Sequence, residues 1–200
     1  MPDDVACGRR LERLWKAMAN YRATNGRWPE DATTSEGHTH SWRVLIAPFC
    51  VPNFSSSEEV YASIGYRFDE PWDSERNTDA IHELPLWGKL VCIGESAFSN
   101  YPYTSYLRLK RPETRIGAVD PANPNAVIIV ESAYCCVKWA EPRDLLWEDL
   151  WKDDSPFGKG KLNSVHPGVV KALRADGTVI DIPKDIGKTE LELLLNGTPL

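Results

Sequence analysis

The stretch HPGVVKALRADGTVIDI, residues His166–Ile182, decides the fold. Asp176–Gly177 lies between two runs of strand-forming residues, Val169–Ala175 and Thr178–Ile182. Asp-Gly is a strong hairpin signal, because both central positions of a tight hairpin turn require positive φ. The stretch therefore predicts a β-hairpin. It leaves two interpretations of His166 open: a structural side chain of the hairpin, or one half of a hydrolytic site shared with the aspartate.

Residues 3–25 predict an amphipathic helix. Apolar side chains recur there at spacings of three and four, while arginine and lysine occupy the other faces. The apolar stripe consists of Cys7, Leu11, Leu14, Trp15 and Met18. Asn25–Gly26 predicts the end of the helix, because both residues tolerate the left-handed conformation. Such a stripe indicates a face that the rest of the fold covers.

The remaining chain divides into a helical part and a strand-rich part. Ser41–Phe49 fits either a short helix or a buried strand, Ser55–Glu59 opens a helix, and Asp73–Ser74 opens another that runs to Glu83. Short runs rich in β-branched and aromatic residues then predict strands at Lys89–Ile93, Thr104–Leu109, Ala126–Glu131, Cys135–Trp139 and the two arms of the hairpin. A short helix at Leu191–Leu195 follows. Helices first and strands later predict one α+β domain, residues 1–200, with an antiparallel sheet.

Charge and composition exclude several classes of partner. The formal net charge is −6 and lysine and arginine form no run, so the sequence predicts no nucleic-acid or anionic-membrane surface. The longest apolar runs, Val44–Phe49 and Ala126–Val130, are far shorter than the roughly 20 residues of a membrane span. No Cys-x-x-Cys occurs among the five cysteines, which argues against a zinc or thioredoxin-like motif.

Individual candidates for chemistry each lack a component. His38-Thr39-His40 offers two imidazoles but no obvious third ligand, so we expect solvated histidines. Ser96 lacks the second glycine of a nucleophile elbow. Cys135-Cys136 should lie in a strand with one thiol inward and one outward, without an activating base. Asp69-Glu70-Pro71-Trp72-Asp73 lacks the spacing of a calcium loop and predicts a turn and a helix cap. We therefore expect no enzyme, no cofactor and no metal site.

Taken together, these segments resemble a bacterial prepilin-like family, a domain of unknown function with the H-x9-D-G signature that is related to type II secretion pseudopilins. His166 and Asp176-Gly177 match that signature with the right spacing. The likeness covers roughly residues 7–186 in the family's order. Further matching segments are Thr24-Asn25-Gly26-Arg27-Trp28-Pro29, His40-Ser41-Trp42-Arg43-Val44-Leu45, Asp69-Glu70-Pro71-Trp72-Asp73-Ser74 with Asn77, Cys92, Thr104-Ser105-Tyr106, Ile129-Val130-Glu131 and Trp139-Ala140-Glu141-Pro142-Arg143-Asp144-Leu145.

The resemblance implies a pilin-like fold, in which the N-terminal helix packs on an antiparallel sheet with a helical insertion between them. It implies a non-enzymatic structural or interaction protein, whose partners are other pseudopilin-like or secretion-system proteins and whose exposed acidic loops form the partner surface. Both Cys7 and Cys92 match family cysteines, so the resemblance also implies a disulfide between them in an oxidising compartment. Such a bond would add about 4 kcal/mol on the chain-entropy model.

Two expectations remain open. Family members begin with a prepilin leader and an apolar helix half that this sequence does not contain, so we expect the head domain alone. Its location is the cell envelope if a leader precedes it and the cytoplasm if Met1 is the natural start. The alternative function is a free-standing module that binds a small molecule or carbohydrate. Its stacking faces would come from five tryptophans, Trp28, Trp72, Trp139, Trp147 and Trp151.

Overall fold

The computed structural model describes residues 4–50, 57–83, 103–112 and 123–198. The helices are α1 (Asp4–Asn25), α2 (Trp42–Cys50), α3 (Ser57–Ile64), α4 (Glu75–Glu83), α5 (Trp147–Leu150) and α6 (Lys188–Leu195). The strands are β1 (Ala32–Thr33), β2 (Thr39–His40), β3 (Tyr103–Thr104), β4 (Tyr106–Lys110), β5 (Val127–Glu131), β6 (Val137–Lys138), β7 (Leu145–Leu146), β8 (Val169–Arg174) and β9 (Val179–Pro183). The predicted strand at Lys89–Ile93 and the candidate Ser96 lie outside the described residues.

Helix α1 has the bounds and the buried face that its sequence pattern predicts. Leu11, Leu14 and Met18 are buried, and Trp15 packs against the same core group from a partly buried position. The helix ends at Gly26, which has a φ of +71° and whose N–H donates to the carbonyl of Arg22 at 2.8 Å. Left-handed backbone at this position is favourable for glycine, so the predicted stop is confirmed.

Along the chain, a helical insertion lies between α1 and the strands of the main sheet, as the fold prediction requires. The ambiguous stretch Ser41–Phe49 is helical, and it forms α2. Helices α3 and α4 follow at the predicted starts, and the Ser74 hydroxyl accepts the Asn77 N–H at 3.1 Å as a cap of α4.

The main sheet has five strands in the order β7-β4-β5-β8-β9. Strands β4, β5, β8 and β9 pair antiparallel, whereas β7 pairs parallel with β4. The prediction of a wholly antiparallel sheet is therefore corrected at this edge. The reason is local: the carboxylate of Asp144, just before β7, accepts the backbone N–H of Arg108 at 3.0 Å and holds the following residues alongside β4.

Helices cover both faces of this sheet. One core group joins apolar residues of α1 and α2 to Tyr106, Ile129 and Leu173 of the sheet. The other joins Leu150 of α5 and Leu191 of α6 to residues on the opposite sheet face. Every residue of β5 is buried, because a strand in the centre of a doubly covered sheet meets core on both sides.

The predicted hairpin between β8 and β9 is confirmed, with a different turn. Gly177 has a φ of +92°, whereas Asp176 does not have positive φ. The Gly177 N–H donates to the Arg174 carbonyl at 3.0 Å, and the Arg174 N–H donates to the Thr178 carbonyl at 2.9 Å. This is a three-residue loop ending in a left-handed glycine, so only one position needs positive φ rather than two.

The prediction of a strand over Cys135–Trp139 is wrong for its first half. Tyr134 and Cys136 have φ values of 58° and 55°, a conformation that non-glycine residues rarely adopt, and β6 contains only Val137–Lys138. Cys135 is buried and Cys136 is exposed, but the two residues lie in a tight turn and not in a strand.

None of the helices within the described residues combines the length and apolar character needed to cross a membrane.

Candidate functional site

His166 lies in the segment that leads into β8, and it is buried. Its own N–H donates to the Ser164 hydroxyl at 3.0 Å. The ammonium of Lys184 donates to the carbonyls of Ser164 and His166, both at 2.9 Å. These contacts hold the backbone on either side of the imidazole and place its ring in the layer between sheet and helix α1.

The imidazole of His166 meets two side chains that the chain supplies from distant positions. Cys7 comes from α1 and Glu131 from the end of β5, and the sulfur, carboxylate oxygen and imidazole nitrogen all lie within 4.8 Å of one another. The three residues, here named the Cys7 cluster, have exposed fractions of 0%, 0% and 2%. Oε2 of the Glu131 carboxylate also accepts the N–H of Lys171 at 3.2 Å.

Sequence reasoning did not bring this cluster together. In the sequence, Cys7 belongs to an apolar stripe and Glu131 ends a predicted strand. No spacing motif connects residues 7, 131 and 166, because each belongs to a different element of the fold. One signal was present: a carboxylate at the end of a buried apolar strand needs a partner in the core.

The hydrolytic interpretation of His166 with Asp176 is wrong. Strand β8 lies between them, and its six residues span about 20 Å. Asp176 is exposed, and its Oδ1 accepts the N–H of Thr178 at 2.8 Å within the turn.

Gly177, the last residue of the signature, is in contact with helix α1. A Cβ built on Gly177 would lie 2.4 Å from Nε1 of Trp15, so the indole occupies the space that any side chain would need. Trp15 in turn packs on Trp28, with ring centroids 5.1 Å apart. The two ends of the signature therefore contact the same helix, His166 near Cys7 and Gly177 at Trp15.

The acidic segment Asp69-Glu70-Pro71-Trp72-Asp73 forms turns before α4, as predicted. The Arg67 guanidinium donates to Asp69 at 2.6 and 2.8 Å, and this bond is the main cause that lowers the pKa of Asp69 to about 2. Glu70 pairs with Arg76 at 3.5 Å. Two carboxylates of the acidic segment thus pair with arginines and do not converge on a common centre, which disfavours a cation site.

Asn77 holds this segment from beneath. Its side chain is buried, its Oδ1 accepts the Arg67 N–H at 2.7 Å, and its Nδ2 donates to the Arg67 and Pro71 carbonyls, both at 2.8 Å. A single amide thus replaces the missing secondary-structure partners of the loop, which explains the acidic motif as architecture.

The expectation of solvated histidines is wrong for His40. Its ring is buried, with Nδ1 2.8 Å from the hydroxyl of Tyr66 and Nε2 3.0 Å from the carbonyl of Phe68. A carbonyl only accepts, so Nε2 donates. Burial lowers the pKa of His40, and the bond to the Phe68 carbonyl offsets this in part. Both nitrogens are engaged, so this histidine is structural.

The tryptophans that the alternative module would use are packed. Trp139 is fully buried. Trp147 and Trp151 contact each other with centroids 5.5 Å apart, the Arg111 guanidinium lies over the first, and the Lys188 ammonium lies over the second. An open groove of about 390 Å³ lies elsewhere, between α3 and α4. Its lining residues are Ile64, Gly65, Glu75, Arg76, Asp79 and Ala80, which include no aromatic ring.

A second buried polar group, here named the Asp144 network, joins α2 to the sheet. The Asp144 carboxylate pairs with Arg43 and accepts N–H groups from Trp42 Nε1 and the Arg108 backbone, both at 3.0 Å. Lys110 Nζ lies 3.6 Å away. Burial alone would raise the pKa of Asp144, but these cations outweigh it and hold the pKa below its usual value.

Comparison with known proteins adds no assignment. No protein-family model, no curated protein and no solved structure matches the chain.

Proposed function

We propose that this chain is a pseudopilin-like structural and interaction domain, and that it acts by assembling with other heads of the same class. The observation that carries the proposal is the packing of α1 on the main sheet. The buried stripe of a 22-residue helix lies against the β8–β9 side of the sheet, while its exposed positions are mostly polar. The resemblance described above implies this arrangement.

The positions of the signature residues support a structural role. Gly177 serves the turn and the contact with Trp15, and the Asp176 side chain serves the turn. Neither residue lines the groove between α3 and α4. The acidic segment is likewise explained by turn and cap contacts. Residues that join a helix to a hairpin suit a protein whose rigid shape is recognised by partner proteins.

The partner surface in this proposal is the acidic turn region before α4. Asp73 is exposed there and Glu75 is exposed at the start of α4, and Asn77 holds the backbone of this region. Fixed exposed charges steer association and select partners by complementarity. The partner is therefore a head domain with a basic patch.

The test is direct binding between the purified chain and the pseudopilin heads encoded in the same genome, measured by biolayer interferometry at two salt concentrations. We expect binding to one of these heads that weakens as salt rises. Asp73→Lys should weaken it at least about tenfold, because a like charge would face the basic patch.

Asp185→Lys is the matched control, since Asp185 is exposed but follows β9. It should bind as the wild type does. Absence of binding to every head, or equal effects of the two substitutions, would overturn the proposal.

A further inference from the structure

We propose that the Cys7 cluster binds a divalent transition-metal ion of the zinc class, as a structural site that joins α1 to the sheet. A thiolate, an imidazole and a carboxylate are the three kinds of side chain that bind Zn²⁺ in proteins. Here one of each meets in a buried position, from three different elements.

The spacing of the three atoms suits one ion. Three atoms within 4.8 Å of one another all lie within about 2.8 Å of a common centre, and zinc bonds to sulfur, nitrogen and oxygen are about 2.0–2.3 Å long. Closure around an ion therefore requires movements of less than about 1 Å, which side-chain rotation supplies. A water molecule can complete the usual four-coordinate geometry.

The charges of the ligands also suit a dication. With Cys7 as thiolate, Glu131 as carboxylate and His166 neutral, the ligands carry two negative charges, which a divalent ion neutralises. Charge without a counter-charge is costly in a buried position, and a neutral metal–ligand set avoids that cost. Softness adds a preference, because thiolate and imidazole favour zinc-class ions over Mg²⁺ and Ca²⁺.

Contacts around the cluster hold the ligands in place, as metal sites require. The Lys171 N–H fixes Oε2 of Glu131, and Ser164 and Lys184 fix the backbone of His166. Cys7 is held by α1. The position of this helix along β8 is fixed at the turn that follows β8, where Trp15 contacts Gly177. The cluster is therefore anchored on rigid elements.

Burial distinguishes a structural ion from a catalytic cysteine. A thiol, an imidazole and a carboxylate also form the set of a nucleophile, a base and an orienting acid. A nucleophile must reach its substrate, however, and all three residues are at most 2% exposed. An ion that enters during folding needs no such opening.

The metal site and the disulfide implied by the resemblance exclude each other, because a cysteine in a disulfide is not a thiolate ligand. Cys92 lies outside the described residues. Mass spectrometry of the non-reduced, native protein therefore decides between them, and a disulfide at Cys7 would overturn the metal proposal.

The direct test is metal binding by the full chain. Protein purified under reducing conditions is unfolded in urea with a chelator, dialysed in urea to remove metal and chelator, and refolded with increasing amounts of Co²⁺. Binding is followed by thiolate-to-metal absorption in the near ultraviolet and by the visible bands of four-coordinate Co²⁺. Zn²⁺ is then added in competition, and metal content is measured by mass spectrometry. We expect one ion per chain, loss of the Co²⁺ spectrum on adding Zn²⁺, and a higher melting temperature for the zinc-loaded protein.

Variants locate the ion. Cys7→Ser and His166→Asn should each weaken the affinity for Zn²⁺ more than about 100-fold, since loss of a ligand exceeds the effect of losing an outer contact. Cys135→Ser is the matched control, a buried cysteine outside the cluster, and should bind as the wild type does. Should a variant fail to fold, the wild-type titration still decides. Absence of Co²⁺ and Zn²⁺ binding by the folded wild type would overturn the proposal, as would unchanged affinity in folded Cys7→Ser.

Discussion

The Asp144 network and the Cys7 cluster are both buried polar groups, but they differ in the kinds of side chain that meet. Around Asp144, N–H donors and cations surround one carboxylate, so the acceptor is satisfied by the protein itself. In the Cys7 cluster, three atoms that can each offer an electron pair face one another. The comparison teaches that a buried polar group is best judged by the chemistry of the side chains that meet, because a thiol, an imidazole and a carboxylate together form a set that binds Zn²⁺.

The largest expected effect concerns the Asp144 network, whose carboxylate is satisfied by the protein itself. Asp144→Ala leaves Arg43, Arg108 and Lys110 without their shared carboxylate, and removing one partner of a buried ion pair costs about 3–5 kcal/mol. The free energy of unfolding in urea measures this loss. Asp69→Ala removes an exposed ion pair, which solvent screens, and should cost far less than Asp144→Ala. Similar losses in the two variants would show that Asp144 is not the centre of the network.

The next prediction concerns the contact that sets where α1 lies along β8, on which the Cys7 cluster depends. Gly177→Ala places a methyl group on the Trp15 indole and a side chain at a φ of +92°, and should cost about 2–4 kcal/mol in urea unfolding. Gly37→Ala is matched in φ, at +87°, but a Cβ there meets nothing within 4 Å, so about 1 kcal/mol is expected. Equal losses in the two variants would argue that the indole contact contributes little.

Metal removal separates the two buried groups. At a free Zn²⁺ concentration 100 times the dissociation constant, binding to the folded state alone adds about 2.7 kcal/mol to stability. A chelator should remove this increment from the wild type and from Cys135→Ser, and should leave Cys7→Ser unchanged. Urea unfolding with and without chelator is the measurement. A chelator effect that persists in Cys7→Ser would place the ion elsewhere.

Local features were predictable from the sequence, and long-range pairings were not. The stripe of α1 and the hairpin at Asp176–Gly177 follow from spacing and backbone preference, and both are confirmed, although the type of turn differs from the predicted one. The pairing of Arg43 with Asp144 joins residues far apart in the chain, and hydrophobic periodicity predicts which face is buried but not what covers it. The turn at Tyr134 was missed because positive φ at a tyrosine has no sequence signal.

The candidate site was the least predictable part of the molecule. His166 was identified as a candidate, but the partner proposed for it was near in sequence, across one turn. The true neighbours, Cys7 and Glu131, come from the first helix and from a central strand, and each looked like ordinary core. Assembly of such a cluster depends on the three-dimensional register of α1 against the sheet, which no local pattern encodes.

The smallest expected effect sharpens the contrast between His166 and a histidine that needs no ion. His40 is satisfied by Tyr66 and Phe68, and burial lowers its pKa. In the unfolded state a histidine has a pKa of about 6.5, so below that pH the unfolded state binds more protons than the folded state. The contribution of His40 to the free energy of unfolding is therefore complete above that pH and decreases as pH falls towards the folded pKa. His40→Gln should flatten this part of the pH profile.

Urea unfolding at pH 7.5, 6.5 and 5.5 tests the prediction, with the free-energy difference between wild type and His40→Gln expected to narrow as pH falls. Gly37→Ala is the control, because it lowers stability without removing a titrating group and should keep the wild-type slope. A wild-type slope in His40→Gln would mean that His40 carries no such linkage. The contrast with His166 is then chemical: the two nitrogens of His40 face a hydroxyl and a carbonyl, whereas the His166 imidazole faces a thiol and a carboxylate, a set that we expect to bind Zn²⁺.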